Sequence, residues 1–206
     1  MLPVDPLLAP LLRHPGLVPG DVVSVATTGG GTSLLLALAA AAARTGAYVA
    51  AIGTPILTLA AVAMGIPSEH LPLIPHPGPD PLAIVAVAAE GVPVVIAAGL
   101  GRVPAARAAR LVQRLRDHHA VLLVHGEGWP RPSAALRTEP IAWHGITGPG
   151  RGRLRSRTVV IESRLHGDPR PRRITVQLPD PTGRIAAAPT DTVRQPAPAA
   201  VVELTG

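Results

Sequence analysis

The chain has 206 residues, 47% of them apolar, yet it holds no phenylalanine, one tyrosine and no cysteine. All 19 of its strong cations are arginine and none is lysine, with a formal charge of +6. Disulfide frameworks and thiolate metal sites are therefore excluded, the core must be built from Val, Leu, Ile and Ala, and the charge favours an acidic partner without specifying one.

The length suits one domain with a tail. The start, Met1-Leu2-Pro3-Val4-Asp5-Pro6, has no basic leader region and is broken by prolines, so no secretory signal is expected. The longest uncharged apolar helical run, residues 34–43, falls short of the roughly 20 residues that span a bilayer. A cytoplasmic protein with no membrane partner is the expectation.

Residues 1–20 carry a leucine patch (Leu7, Leu8, Leu11, Leu12) ahead of Pro15-Gly16 and Pro19-Gly20. They form either a docking segment or a lid on the core. Residues 21–26, DVVSVA, read as a buried strand, followed by a glycine turn and an Ala/Leu helix over 32–44 closed by Gly46. The same alternation continues downstream. Strands are expected at 48–52, 71–74, 92–98 and 120–124, and helices at 58–64, 82–89 and 104–117. The texture changes after Trp129: a short strand is expected at 141–143 and a hairpin pairing 157–163 with 172–178. From residue 179 onward the Pro/Ala/Thr-rich chain offers little to bury, and a flexible tail over 179–206 is expected. Strands and helices in this rhythm define a core domain over 21–178, an α/β fold with a mostly parallel twisted sheet, helices on both faces and a C-terminal antiparallel hairpin.

The turn after the first core strand is the main chemical candidate. Ala26-Thr27-Thr28-Gly29-Gly30-Gly31-Thr32-Ser33 has the outline of a phosphate loop, G-x-x-x-x-G-K-[ST], between a strand and a helix N-terminus. Ser33 retains the hydroxyl that ligates magnesium in such loops. However, Ala26 replaces the first glycine and Thr32 replaces the lysine, and no lysine exists elsewhere to compensate. A tight strand-to-helix turn with no ligand is the competing reading. Coding bias toward GC-rich codons also accounts for arginine in place of surface lysine. Two further absences weigh on the choice. The strand at 92–98 ends in Ala97-Ala98, where a magnesium-holding aspartate is expected, and the strand at 48–52 delivers Gly53 where a catalytic acid belongs.

These residues, with LPVDPLLAPLL, GLVPGDVVSV, AAIGTPILTLAAVAMGI, HAVLLVHGEGW, WHGITGPGRGRLRSRTVVI and PRRITVQLPDPTG in collinear order, resemble the RecA fold. More closely, they are similar to the RecA-like ImuA-prime proteins of actinobacterial mutagenic repair, over about residues 2–183. The resemblance implies a non-catalytic accessory protein of a DNA-damage-induced translesion-synthesis complex. The implied partners are an ImuB-like polymerase homologue and an error-prone replicative-type polymerase. No cofactor and no enzymatic activity are expected. His125-Gly126 stands where such folds carry a polar sensor of the γ-phosphate. The connections at 99–103 and 126–133, where RecA-like filaments carry DNA-binding loops, are short.

Arg151, Arg153, Arg155 and Arg157 recur at every second residue and would track an acidic protein or a phosphate backbone if extended, nucleic acid being the weaker of these expectations. A charged edge strand protected from aggregation is the equal alternative. Arg107, Arg110 and Arg114 share one helix face, for which plain solvation is the ordinary role. The adjacent His118 and His119 make a poor metal pair. Weak ATP turnover with arginine in place of lysine, nucleotide binding alone, and direct DNA binding are the alternatives to an interaction protein.

Overall fold

The computed structural model describes residues 1–27, 29–54, 56, 58–148 and 151–189. Two short strands, β1 (Leu2–Pro3) and β2 (Gly16–Leu17), pair antiparallel and bracket a single 3₁₀ turn. The order then runs β3 (Val22–Val25), α1 (Gly31–Arg44), β4 (Val49–Ile52), α2 (Thr58–Met64), β5 (Leu73–Ile74), α3 (Pro81–Gly91), β6 (Val94–Ala98), α4 (Ala105–Asp117) and β7 (Val121–His125). A C-terminal block of β8 (Ala134–Gly148), β9 (Arg151–Leu165), β10 (Arg172–Gln177) and β11 (Ala186–Ala187) completes the chain.

The nine-stranded sheet has the order β11-β10-β9-β8-β3-β7-β6-β4-β5. From β8 through β5 all neighbours run parallel, and from β8 through β11 all run antiparallel. The expected mostly parallel sheet with an antiparallel C-terminal portion is therefore present.

Strand side chains alternate between two apolar layers. Val23, Val25, Val49, Ala51, Val94, Ile96, Val121 and Leu123 pack against α1 and α2, whereas Val22, Ile52, Val95, Ala97, Leu122 and Val124 pack against α3 and α4. Covering on both faces explains why β4 and β6 read as continuous apolar runs and why every residue of β3, Ser24 included, is buried. The helix α1 is almost wholly buried, which its Ala/Leu composition allows, and it ends at Thr45 with Gly46 in the left-handed region at φ 96°.

One open alternative is decided and two expectations need correction. The segment 1–20 is a lid: Leu8, Leu11 and Leu17 are fully buried in the α1 layer, the Ser163 hydroxyl donates to the Leu11 carbonyl at 2.6 Å, and Arg172 donates to the Leu12 carbonyl at 2.8 Å. The strand expected at 141–143 is the middle of a 15-residue strand, β8, paired along its length with the 15-residue β9. Pro140, Gly145 and Gly148 obscure it in the sequence, and register shifts at 140/142, 144/146 and 146/148 accommodate them. The core also continues past residue 178. Asp180 accepts from the Thr182 and Arg184 backbone amides, turning the chain so that Ile185 packs on the core and β11 pairs with β10. Of the expected tail, residues 190–206 lie outside the described residues.

Candidate functional site

The glycine loop lies at the C-terminal end of β3, in the middle of the sheet. The Ala26 amide still donates to the Leu136 carbonyl of β8 at 2.9 Å, and from there Gly29 (φ 66°) and Gly30 (φ 97°) turn the chain into α1. Thr28 lies outside the described residues. The turn is also tightly packed. A Cβ on Gly29 would overlap the Thr138 carbonyl of β8, and one on Gly31 would overlap the Ala26 carbonyl. Glycine is therefore required by close backbone approach. Thr32 and Ser33 are half-buried in the first turn of α1.

Arg157, on β9, reaches into this loop. Its Nη2 donates to the Ser33 hydroxyl oxygen at 3.0 Å and to the Gly30 carbonyl at 3.3 Å, while Nε donates to the Leu178 carbonyl. The guanidinium fills the room above Gly30, where a Cβ would run into it. The Trp143 ring, directly opposite on β8, covers the guanidinium at 5.6 Å. Among the described residues no carboxylate pairs with Arg157. Burial pulls the guanidinium below its ordinary basicity without discharging it. A half-buried cation held by neutral acceptors thus stands in the loop.

The ends of β4 and β6 carry no acid. Gly53 follows β4 with φ 63°, and a Cβ there would lie 2.8 Å from the Ala98 carbonyl, so the backbone leaves no place for a side chain. Ala97 and Ala98 end β6, with Ala98 beside His125 of β7. The His125 Nε2 is buried without a hydrogen-bond partner among the described residues and faces Gly31 across 3.2 Å of a would-be Cβ. Burial lowers its pKa, so the ring is held neutral. The usual set of groups around a magnesium nucleotide is incomplete here: Thr32 stands at the lysine position, the ends of β4 and β6 offer no carboxylate, and the Arg157 guanidinium occupies the space above Gly30.

The structure thus gathers Ala26, Gly29, Gly30, Gly31, Thr32, Ser33, Gly53, Ala97, Ala98 and His125 at one end of the sheet. It divides the arginine row. Arg157 joins the loop, whereas Arg151, Arg153 and Arg155 are exposed farther along β9, and a register irregularity between Gly152 and Ser156 interrupts the alternation. On α4, Arg107 pairs with Asp80 at 2.6 Å and Arg114 with Glu90 at 2.7 Å, so two of its four arginines bind α3 and its N-cap. The sequence alone does not reveal the contacts of Arg157 with the loop, nor those of Trp143 and Leu178 with Arg157. Ser33 and Arg157 are 124 positions apart, and no local pattern records such a pairing.

The parallel sheet, two helical layers and glycine turn at the central strand define a RecA-like α/β protein. The family model described as the MT3502 N-terminal domain matches residues 10–131, and the chain belongs to this family. It is 36% identical over 166 residues to the uncharacterized protein Rv3395c of Mycobacterium tuberculosis, covering 74% of this chain and 81% of that protein. Among solved structures, it is similar to the flagellar accessory protein FlaH of Methanocaldococcus jannaschii, with a TM-score of 0.56 and 14% identity, covering 92% of this chain and 98% of that one. At that identity the likeness is one of fold. Among the described residues, no helix is long and apolar enough to cross a membrane.

Proposed function

We propose that this chain is a non-catalytic RecA-like accessory protein that works by binding other proteins, within a translesion-synthesis complex formed after DNA damage. The partners in this reading are an ImuB-like polymerase homologue and an error-prone replicative-type polymerase. That setting rests on the ImuA-prime resemblance of the sequence. The non-catalytic part rests on one observation: the Arg157 guanidinium stands against Gly30 and Ser33, in the space a phosphate would need.

A specific feature favours a second reading, nucleotide binding without turnover. Arg157 carries a charge that no carboxylate among the described residues compensates, and arginine pairs with phosphate through its fork. Calorimetric titration with ATP, together with a hydrolysis assay, separates the two. The expected result is neither binding nor turnover. Binding alone supports the second reading, and turnover abolished by Ser33→Ala would overturn the first. Co-purification from DNA-damaged cells tests the partners. Recovery of both polymerase homologues is expected, and recovery of neither removes the translesion setting.

A further inference from the structure

Beyond residue 137, no strand among the described residues lies on the outer side of β8, because β3 pairs only with residues 134–136. Likewise, β10 pairs with β9 only from Thr158 onward. Residues 141–148 and 151–156 therefore form a two-stranded ribbon, and no further strand among the described residues pairs with either of its edges. A bare ribbon of this kind normally carries polar side chains. This one instead exposes Ile141, Trp143, Ile146 and Leu154, with Trp143 at 55% and Ile146 at 62% of full exposure. Arg151, Arg153 and Arg155 are exposed on the same ribbon and have no carboxylate partner among the described residues. Glu139 is the single acidic residue between Arg137 and Arg157.

We propose that this ribbon is a docking arm for an extended protein segment that alternates carboxylates with aliphatic side chains. Each part of the arm has a counterpart in such a segment. The three arginines take the carboxylates, while Ile141, Ile146 and Leu154 take the aliphatic groups. The open edge of β8 accepts the backbone as an added strand. Trp143 is held in place from below by the Arg157 guanidinium and offers a rigid anchor of the kind that dominates binding energy at interfaces. A nucleic-acid strand satisfies the arginines and one aromatic ring, but it leaves the three aliphatic side chains without a partner. The mixture of charge and aliphatic surface favours protein.

The arm deepens the interaction reading proposed above and rests on it, but it is tested separately from the glycine loop. The full chain is titrated with three probes: a short peptide alternating glutamate and valine, poly-glutamate, and single-stranded oligothymidylate. Trp143 emission reports binding, since Trp129 is buried, and Trp143→Phe confirms the source of the signal. The alternating peptide is expected to bind about tenfold more tightly than poly-glutamate, a difference of about 1.4 kcal/mol. Changing Arg151, Arg153 and Arg155 together to glutamate is expected to abolish binding. Ile146→Ser with Leu154→Ser is expected to weaken it while leaving its salt dependence intact. All these positions are exposed, and an unchanged thermal melt verifies that the variants fold. Tighter binding of oligothymidylate, equal binding of both peptides, or binding indifferent to the variants each overturns the proposal. Serine-33-dependent ATP turnover would instead sink the non-catalytic reading and leave the arm standing.

Discussion

The Nη2 of Arg157 lies 3.0 Å from the hydroxyl oxygen of Ser33, across 124 residues of chain. This pairing joins the antiparallel half of the sheet to the N-terminal turn of α1. In a working phosphate loop the equivalent hydroxyl would face a metal ion. Here it accepts from an arginine of the same chain, so the pairing forms a joint between β9 and the loop.

The joint predicts stability effects. Arg157→Gln removes charge-assisted bonds to Ser33, Gly30 and Leu178, and is expected to cost about 1.5–3 kcal/mol. Ser33→Ala should cost about 1 kcal/mol through the same contact. Urea denaturation reads both as lower midpoints at unchanged slope. If neither substitution lowers the midpoint, Arg157 is not anchored in the loop.

Restoring acids and a lysine should not restore an ATPase. Gly53 sits at φ 63° with the Ala98 carbonyl 2.8 Å from any Cβ, so Gly53→Glu forces the ends of β4 and β6 apart. The expected cost is about 1–3 kcal/mol of backbone strain. A chain combining Thr32→Lys, Ala97→Asp and Gly53→Glu is accordingly expected to melt earlier and to show no ATP turnover. Measurable hydrolysis would mean that the strand ends can open.

The parallel half was legible because its signals are local. Buried strands such as 92–98 and 120–124 are short apolar runs, and α2 was bounded correctly at 58–64 by the turn residues around it. The placement of Gly53, Ala97 and Ala98 at strand ends and of Thr32 in the first turn of α1 was legible for the same reason. The β8–β9 hairpin was not, because its pairing is long and interrupted by Pro140 and Gly145. Arg157 looked like one member of an arginine row. Only the register that places Trp143 opposite it, and the fold that brings β9 to α1, distinguish it from Arg155.

The lid gives a prediction with a different readout. Leu11 is fully buried against the α1 layer although it lies in a 3₁₀ turn outside the main sheet. Leu11→Ala is expected to cost about 2–5 kcal/mol, as core truncations do. A detachable docking segment would tolerate the change with little loss. Equilibrium unfolding decides between them.

His125 supplies a dependence on pH. Its folded pKa lies below the ordinary 6.5 because burial penalises the imidazolium. As pH falls below 6.5, the unfolded chain takes up the proton first, so the folded state loses stability relative to it. This contribution is therefore complete above that value and declines below it, until the folded ring is also protonated. The carboxylates of Asp80, held down by Arg107, and of Glu162, held down by Arg173 and Arg164, lose their own stabilisation as pH falls toward the carboxylate range. His125→Leu separates the two effects. Its unfolding midpoint should fall less than that of the native chain between neutral pH and the range below 6.5, and run parallel to it once the carboxylates titrate. Parallel curves over the whole range would show that the ring is already solvated and that its nitrogen beside Gly31 meets water.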